Sequence, residues 1–137
     1  MNVNIYWYLG AVVAASVAVS FSDWYFMGVL FHDKYLVHPE VWRHTDNKKA
    51  ESLAVAWSTL LGVLTVAAFL WLAGWLGLAG SDQALVLAFG VWLAAPLPLI
   101  VTNGFFIKIH VLNTLAMCLG WLARLLIAGL AAWLILR

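Results

Sequence analysis

Two residues of opposite charge stand inside runs that are otherwise apolar. Asp23 interrupts VSFSDWYFMGVLF, one step before Trp24-Tyr25-Phe26, and Arg124 interrupts GWLARLLIAGLAAWL. A carboxylate or guanidinium among apolar side chains costs at least a few kcal/mol even on the gentlest membrane scale. Each therefore needs a partner or a polar cavity. Two chemistries are open. The charges can pair as a clasp between helices, or Asp23 can be a proton or ion site with Arg124 as its counter-charge. His110, Asn113 and a snorkelling Lys108 are rival partners for Asp23.

The neighbours of each charge narrow the site. At about 100° per helical residue, Ser16, Ser20 and Asp23 fall within about 60° of one another, and Met27 continues the line. A second line, Gly10, Ala14, Ala18 and Ser22, consists of small residues at spacing four, the pattern that lets membrane helices approach closely. Around the arginine, Asn113, Met117, Gly120, Ala128 and Ala131 share its face. The candidate intramembrane site is therefore Asp23, Arg124, Ser16, Ser20 and Asn113.

Depth tests the pairing. Asp23 lies about 12 Å from one end of its helix, and Arg124 about 22 Å from that side if its helix begins at Ile109. The mismatch of about 10 Å falls to about 4 Å if the helix begins near Asn113.

A second constellation is His32, His38 and His44, six residues apart, with Asp33 and Glu40 among them. Imidazole and carboxylate suit a divalent transition metal. Spacing of six does not align side chains on one helical face, and Pro39 intervenes. Histidines are also ordinary at a membrane surface. There is no HExxH, no nucleophile motif and no phosphate loop, so the sequence points away from an enzyme. It names no cofactor. Most of the nine tryptophans fall at the ends of apolar runs, where membrane interfaces explain them. Cys118 has no second cysteine to pair with.

These residues must be positioned by membrane helices. The 137 residues are 66% hydrophobic and 9% charged, against about 25% charged in soluble domains. A net charge of +1 gives no case for nucleic acid. Spanning the hydrocarbon takes about 20 apolar residues, and four segments qualify: about 6–31, 53–76, 84–101 and 109–136. The expectation is an all-α, four-transmembrane-helix bundle forming a single membrane domain over 1–137. No Lys or Arg precedes the first segment, which reads as a retained span rather than a cleaved signal.

The charged loop 32–51 reads as lying on the membrane surface, with Thr45 or Asp46 capping the second helix. Ser81 or Asp82 caps the third, Pro96 and Pro98 kink or interrupt it, and Thr102–Gly104 reads as a tight turn. Lys34, Arg43, Lys48, Lys49 and Lys108 outweigh Arg137. That places loop 32–51 in the cytoplasm and both termini outside. Tyr6, Trp7, Tyr8, Trp71, Trp75 and Trp133 would then form the outer aromatic belt. The expected partners are the lipid bilayer and either a second copy, a dimer first, or a larger membrane complex.

The segment DWYFMGVLFHDKY resembles the WY-x-x-x-LF-G-K pattern of small bacterial membrane proteins grouped as domain of unknown function 1761. GWLARLLIAGLAAWL resembles the last helix of that family, and length and four-helix layout agree along the chain. The proline and glycine that usually follow the family's aromatic pair and LF are here Phe26-Met27 and His32. The resemblance implies a four-helix fold in a bacterial inner membrane and brings no activity with it. On these grounds the expected role is a non-enzymatic structural or accessory subunit. The alternatives are a small oligomeric transporter or channel using Asp23 with Arg124, and divalent-metal binding by the histidine loop 32–44.

Overall fold

The computed structural model describes residues 4–30 and 48–136. Helix α1 is Ile5–Asp23, opened by Asn4, whose side chain accepts the Tyr6 N–H at 2.9 Å. It continues as a π-helical segment, Trp24–Leu30. Then come α2 (Lys48–Trp75), α3 (Gln83–Ala94), α4 (Pro96–Phe106) and α5 (Val111–Leu134). They make four spans of 26, 28, 24 and 24 residues, with α3 and α4 sharing the third. Twenty-four residues at about 1.5 Å each reach about 36 Å, enough for a hydrocarbon core of about 30 Å. Without water to satisfy amides, each such run must close its own hydrogen bonds as a helix. The protein is an all-α membrane bundle.

The third span differs from the sequence expectation. Thr102, Asn103 and Gly104 form no turn; they lie inside α4. Leaving the helix within an apolar stretch would strand backbone groups, so the helix runs to Phe106. Ile107 then takes extended backbone, and its N–H bonds the Asn103 carbonyl at 2.9 Å. The interruption lies earlier, at Ala95 (φ −131°, ψ −68°), directly before Pro96. Pro96 and Pro98 occupy the first turn of α4, where a missing N–H leaves no helical bond unmade.

The turn between α2 and α3 follows local rules. Gly77 (φ 71°) provides the left-handed residue that ends α2. The Leu78 N–H returns to the Ala73 carbonyl and the Gly77 N–H to the Gly74 carbonyl, the paired bonds of a Schellman motif. Ser81 Oγ, rather than the Asp82 side chain, accepts the Gln83 N–H at 3.2 Å.

Helix α5 is the hub. It packs against α1 and its π-helical continuation, α2, α3 and α4. Helices α1 and α2 pack together on one side of it, α3 and α4 on the other. The core along α5 is rich in alanine: Ala11 and Ala15 from α1, Ala73 from α2, Ala84 and Ala88 from α3, Ala128 and Ala132 from α5 itself. Small residues matter here because lipid tails are as apolar as leucine, so close packing must hold helices together. Gly129 shows how close α3 comes: a Cβ there would stand 3.1 Å from the Ala84 carbonyl oxygen and 3.2 Å from Ala88 Cβ. Polar ties reinforce the packing. Tyr8 Oη donates to the Ala67 carbonyl at 2.7 Å, and Trp92 Nε1 to the Cys118 carbonyl at 2.9 Å.

On α1 the small-residue line is not the intrachain seam. Gly10, Ala14 and Ala18 face outward, while Ala11, Ala15 and Val19, one residue on, are buried. Tyr8 and Asp23 fix this rotation. Both bond to other helices, and they lie within about 60° of each other on the α1 wheel. The line Asn113, Met117, Gly120, Arg124, Ala128 and Ala131 on α5 does face the bundle, with Asn113, Ala128 and Ala131 buried.

Candidate intramembrane site

Asp23 closes α1, and Arg124 sits midway along α5. Arg124 Nη2 donates to Asp23 Oδ2 at 2.5 Å. Among the described residues these are the charged side chains lying within the spans rather than near their ends. Residue counting from the Leu30 end of the first span and the Val111 end of α5 leaves the two Cα atoms about 10 Å apart in depth, and side-chain direction spans the gap. Every helical Cβ leans toward its own helix N-terminus. The two helices are antiparallel, so Asp23 leans up from the Leu30 end while Arg124 leans down toward it. The charges converge.

The guanidinium is well enclosed: its side chain is 13% exposed, against 33% for Asp23. One face lies over the Trp121 ring, 4.5 Å from its centroid, a cation–π contact from the preceding turn of α5. Gly62 of α2 stands nearby. A Cβ on it would stand 3.9 Å from the guanidinium, an ordinary contact, so Gly62 lines the arginine's surroundings without pressing on it. Nε is buried with no hydrogen-bond partner. The carboxylate sits at the change from α to π geometry, since Trp24–Leu30 follows it directly. Single π turns are often found at functional positions.

The remaining candidates separate from the pair. Ser16 and Ser20 line a groove between α1 and α2 together with Val12, Val13, Val17 and Val63. Ser16 is buried and its Oγ has no hydrogen-bond partner. Asn113 is buried near the start of α5, 11 residues before Arg124. His110 is engaged elsewhere: its Nδ1 accepts the Leu112 N–H at 3.1 Å and caps α5. Lys108 is exposed in the link before it. The site is thus Asp23, Arg124, Trp121 and Gly62, with the serines further along α1 in the groove with Val63. His32, His38 and His44, and the caps Thr45 and Asp46, lie outside the described residues. Among the described residues no group of three His, Cys, Asp or Glu side chains could hold a metal ion.

Sequence reasoning missed Trp121 and Gly62. Trp121 had a usable signal, since three residues before Arg124 puts it on the same face. Gly62 had none, because it comes from another helix. Of the expected belt residues, Tyr8 turns inward to the Ala67 carbonyl. Tyr6, Trp7, Trp71 and Trp75 are exposed at one end, and Trp71 and Trp75 stack at 6.3 Å with planes 9° apart.

Comparison of the chain with models of known families, with curated proteins and with solved structures finds no match in any of the three.

Proposed function

We propose that this protein is a non-enzymatic membrane subunit, structural or accessory, whose four spans are clasped by Asp23 and Arg124. The observation that carries this reading is the direct contact between the two charges deep in the spans. Paired, they are neutral together, and neither is left over to bind or relay an ion. The enclosure of the arginine by Trp121 and Gly62 suits a fixed clasp. Positive-charge bias orients the bundle: Lys48 and Lys108 lie at the end where α2 starts and α5 begins, and Lys34, Arg43 and Lys49 add to them in sequence. That end faces the cytoplasm, both termini face outward, and the membrane is the bacterial inner membrane that the resemblance to domain of unknown function 1761 implies.

A double-mutant cycle tests the clasp. Asp23→Asn, Arg124→Gln and the double variant are compared by reversible unfolding in detergent. A clasp gives two costly single variants and a double no worse than either. Additive costs would remove it. A second reading, a small oligomeric transporter or channel, is favoured by the π-helical turn beside Asp23 and by the partial exposure of its carboxylate. Proton or alkali-cation flux into liposomes, abolished by Asp23→Asn, would establish that reading in place of the first.

A further inference from the structure

The third span breaks in its middle. Ala95 lies 12 residues into the run Gln83–Phe106, about 18 Å along a length of about 36 Å. The first turn of α4 loses nothing by its two prolines, but the last turn of α3 does. In an unbroken helix the carbonyls of Trp92, Leu93 and Ala94 would accept from the amides of residues 96, 97 and 98. Pro96 and Pro98 have no N–H, so a single amide, that of Leu97, is left for three carbonyls. The amides on either side are taken. Ala95 N–H bonds the Val91 carbonyl at 3.1 Å, and Leu99 N–H bonds the Ala95 carbonyl at 3.2 Å.

Membrane proteins answer such carbonyls from a neighbouring helix or from a water-filled cavity. At the break this chain offers neither. Helices α3 and α4 pack against α5. There, at the same depth, stand Leu119, Leu122, Ala123 and Leu126, with Arg124 turned away to Asp23. The Trp92 indole N–H goes to the Cys118 carbonyl, and among the described residues no other side chain donates nearby. A helical carbonyl lies on the side of its own residue and of the one four further on. Leu93, Ala94 and Pro98 are exposed, so the carbonyls of Leu93 and Ala94 open outward. The Leu97 amide can serve one of them, and the other faces lipid. Leu93 is 53% and Leu99 62% exposed, so no wall of this chain holds water against it. Lipid tails carry no donor.

We infer that this break is the docking site for a transmembrane helix of a different protein. That helix carries a neutral hydrogen-bond donor at the bilayer centre, the hydroxyl of Ser or Thr or the side-chain amide of Asn or Gln. The donor answers the outward carbonyl of Leu93 or Ala94. Ala94 and Ala95 are small enough for a helix to come close to that backbone. Two copies of this chain meeting here about a twofold axis would set acceptor against acceptor, so the occupant is not a second copy. This rests on the accessory-subunit reading and gives the chemistry of the partner.

The test uses the full chain in liposomes. The probe is a dye-labelled polyleucine transmembrane peptide with one Asn at its centre, kept dilute enough to stay monomeric. Energy transfer from the protein's tryptophans to the dye measures binding. The Asn peptide is expected to bind about three- to tenfold tighter than the same peptide with Leu at its centre. Pro96→Ala/Pro98→Ala restores the two missing amides and abolishes that advantage. Ala94→Phe puts a ring on the exposed side of the break and abolishes it without touching backbone bonding. Val86→Phe, at a position on α3 that is 72% exposed, preserves it. Equal binding of the two peptides overturns the inference. So does an advantage that survives both the proline variant and Ala94→Phe. Ala94→Cys on a Cys118→Ala background that forms disulfide-linked dimers without peptide would assign the face to a second copy instead. Equal binding of the peptides beside a still non-additive Asp23–Arg124 cycle would refute the docking site and leave the clasp standing.

Discussion

The two sides of α5 are held by different physics. Toward α1 and α2 the seam carries a charge pair to α1, with the arginine backed by Trp121 of α5 itself and facing Gly62 of α2, which leaves room for the guanidinium. Toward α3 it carries almost no polarity beyond the Trp92–Cys118 hydrogen bond, and instead brings backbones so close that a Cβ on Gly129 would stand 3.1 Å from the Ala84 carbonyl oxygen. In water both would be supplemented by the hydrophobic effect. In lipid that drive between helices is missing, so each seam must supply its own attraction. The polar seam tolerates space around its partners and fails when one is removed. The tight seam has no single partner to lose and fails when an atom is added.

The sharpest way to break the polar side is to remove one charge. Asp23→Asn should destabilise the fold by about 3 kcal/mol, because it strands a buried arginine. Unfolding in detergent should show Arg124→Gln costing a similar amount, with the double variant no worse than the harsher single. A wild-type-like Asp23→Asn would mean that the charge is answered by something other than this pair.

On the tight side, Gly129→Ala should cost about 1–3 kcal/mol, since the new methyl meets the rigid Ala84 backbone. Gly10→Ala, where space is open, should leave monomer stability unchanged. Equal effects at the two glycines would dissolve the distinction between a tight seam and a free face. Trp92→Phe should lower stability by about 1 kcal/mol by removing the one polar tie between α3 and α5 described above. The smallest effect belongs to Gly62→Ala. Its methyl would sit at 3.9 Å from the guanidinium, an ordinary contact, so the change should stay within about 0.5 kcal/mol. A large loss there would show that the arginine's enclosure has less slack than its geometry suggests.

The length and apolarity of four runs made the spans legible, because the bilayer sets a minimum that few other constraints can imitate. Pairing of Asp23 with Arg124 was legible as one option. Residue counting left it open because it ignores the opposed lean of side chains on antiparallel helices. The turn at Thr102–Gly104 misled because turn propensities describe chains in water. The rotation of α1 was illegible for a different reason. Ala11, Ala15 and Val19 are no more apolar than the residues facing lipid, so periodicity cannot tell inside from outside. Only Tyr8 and Asp23, with their partners on other helices, decide it.

Arg124 follows Asp23 by 101 residues. A chain emerging from its N-terminus delivers α1 to the membrane long before α5 has been made. During that interval the acidic residue waits without its counter-ion, and the helix that every other helix leans on is still missing. The first two spans can already pack on each other, with Tyr8 bonded to the Ala67 carbonyl, but the charge of Asp23 is answered only when the last one arrives with Arg124. A chain stalled before residue 124 would display an unanswered carboxylate, a mark by which membrane quality control could tell unfinished copies from finished ones.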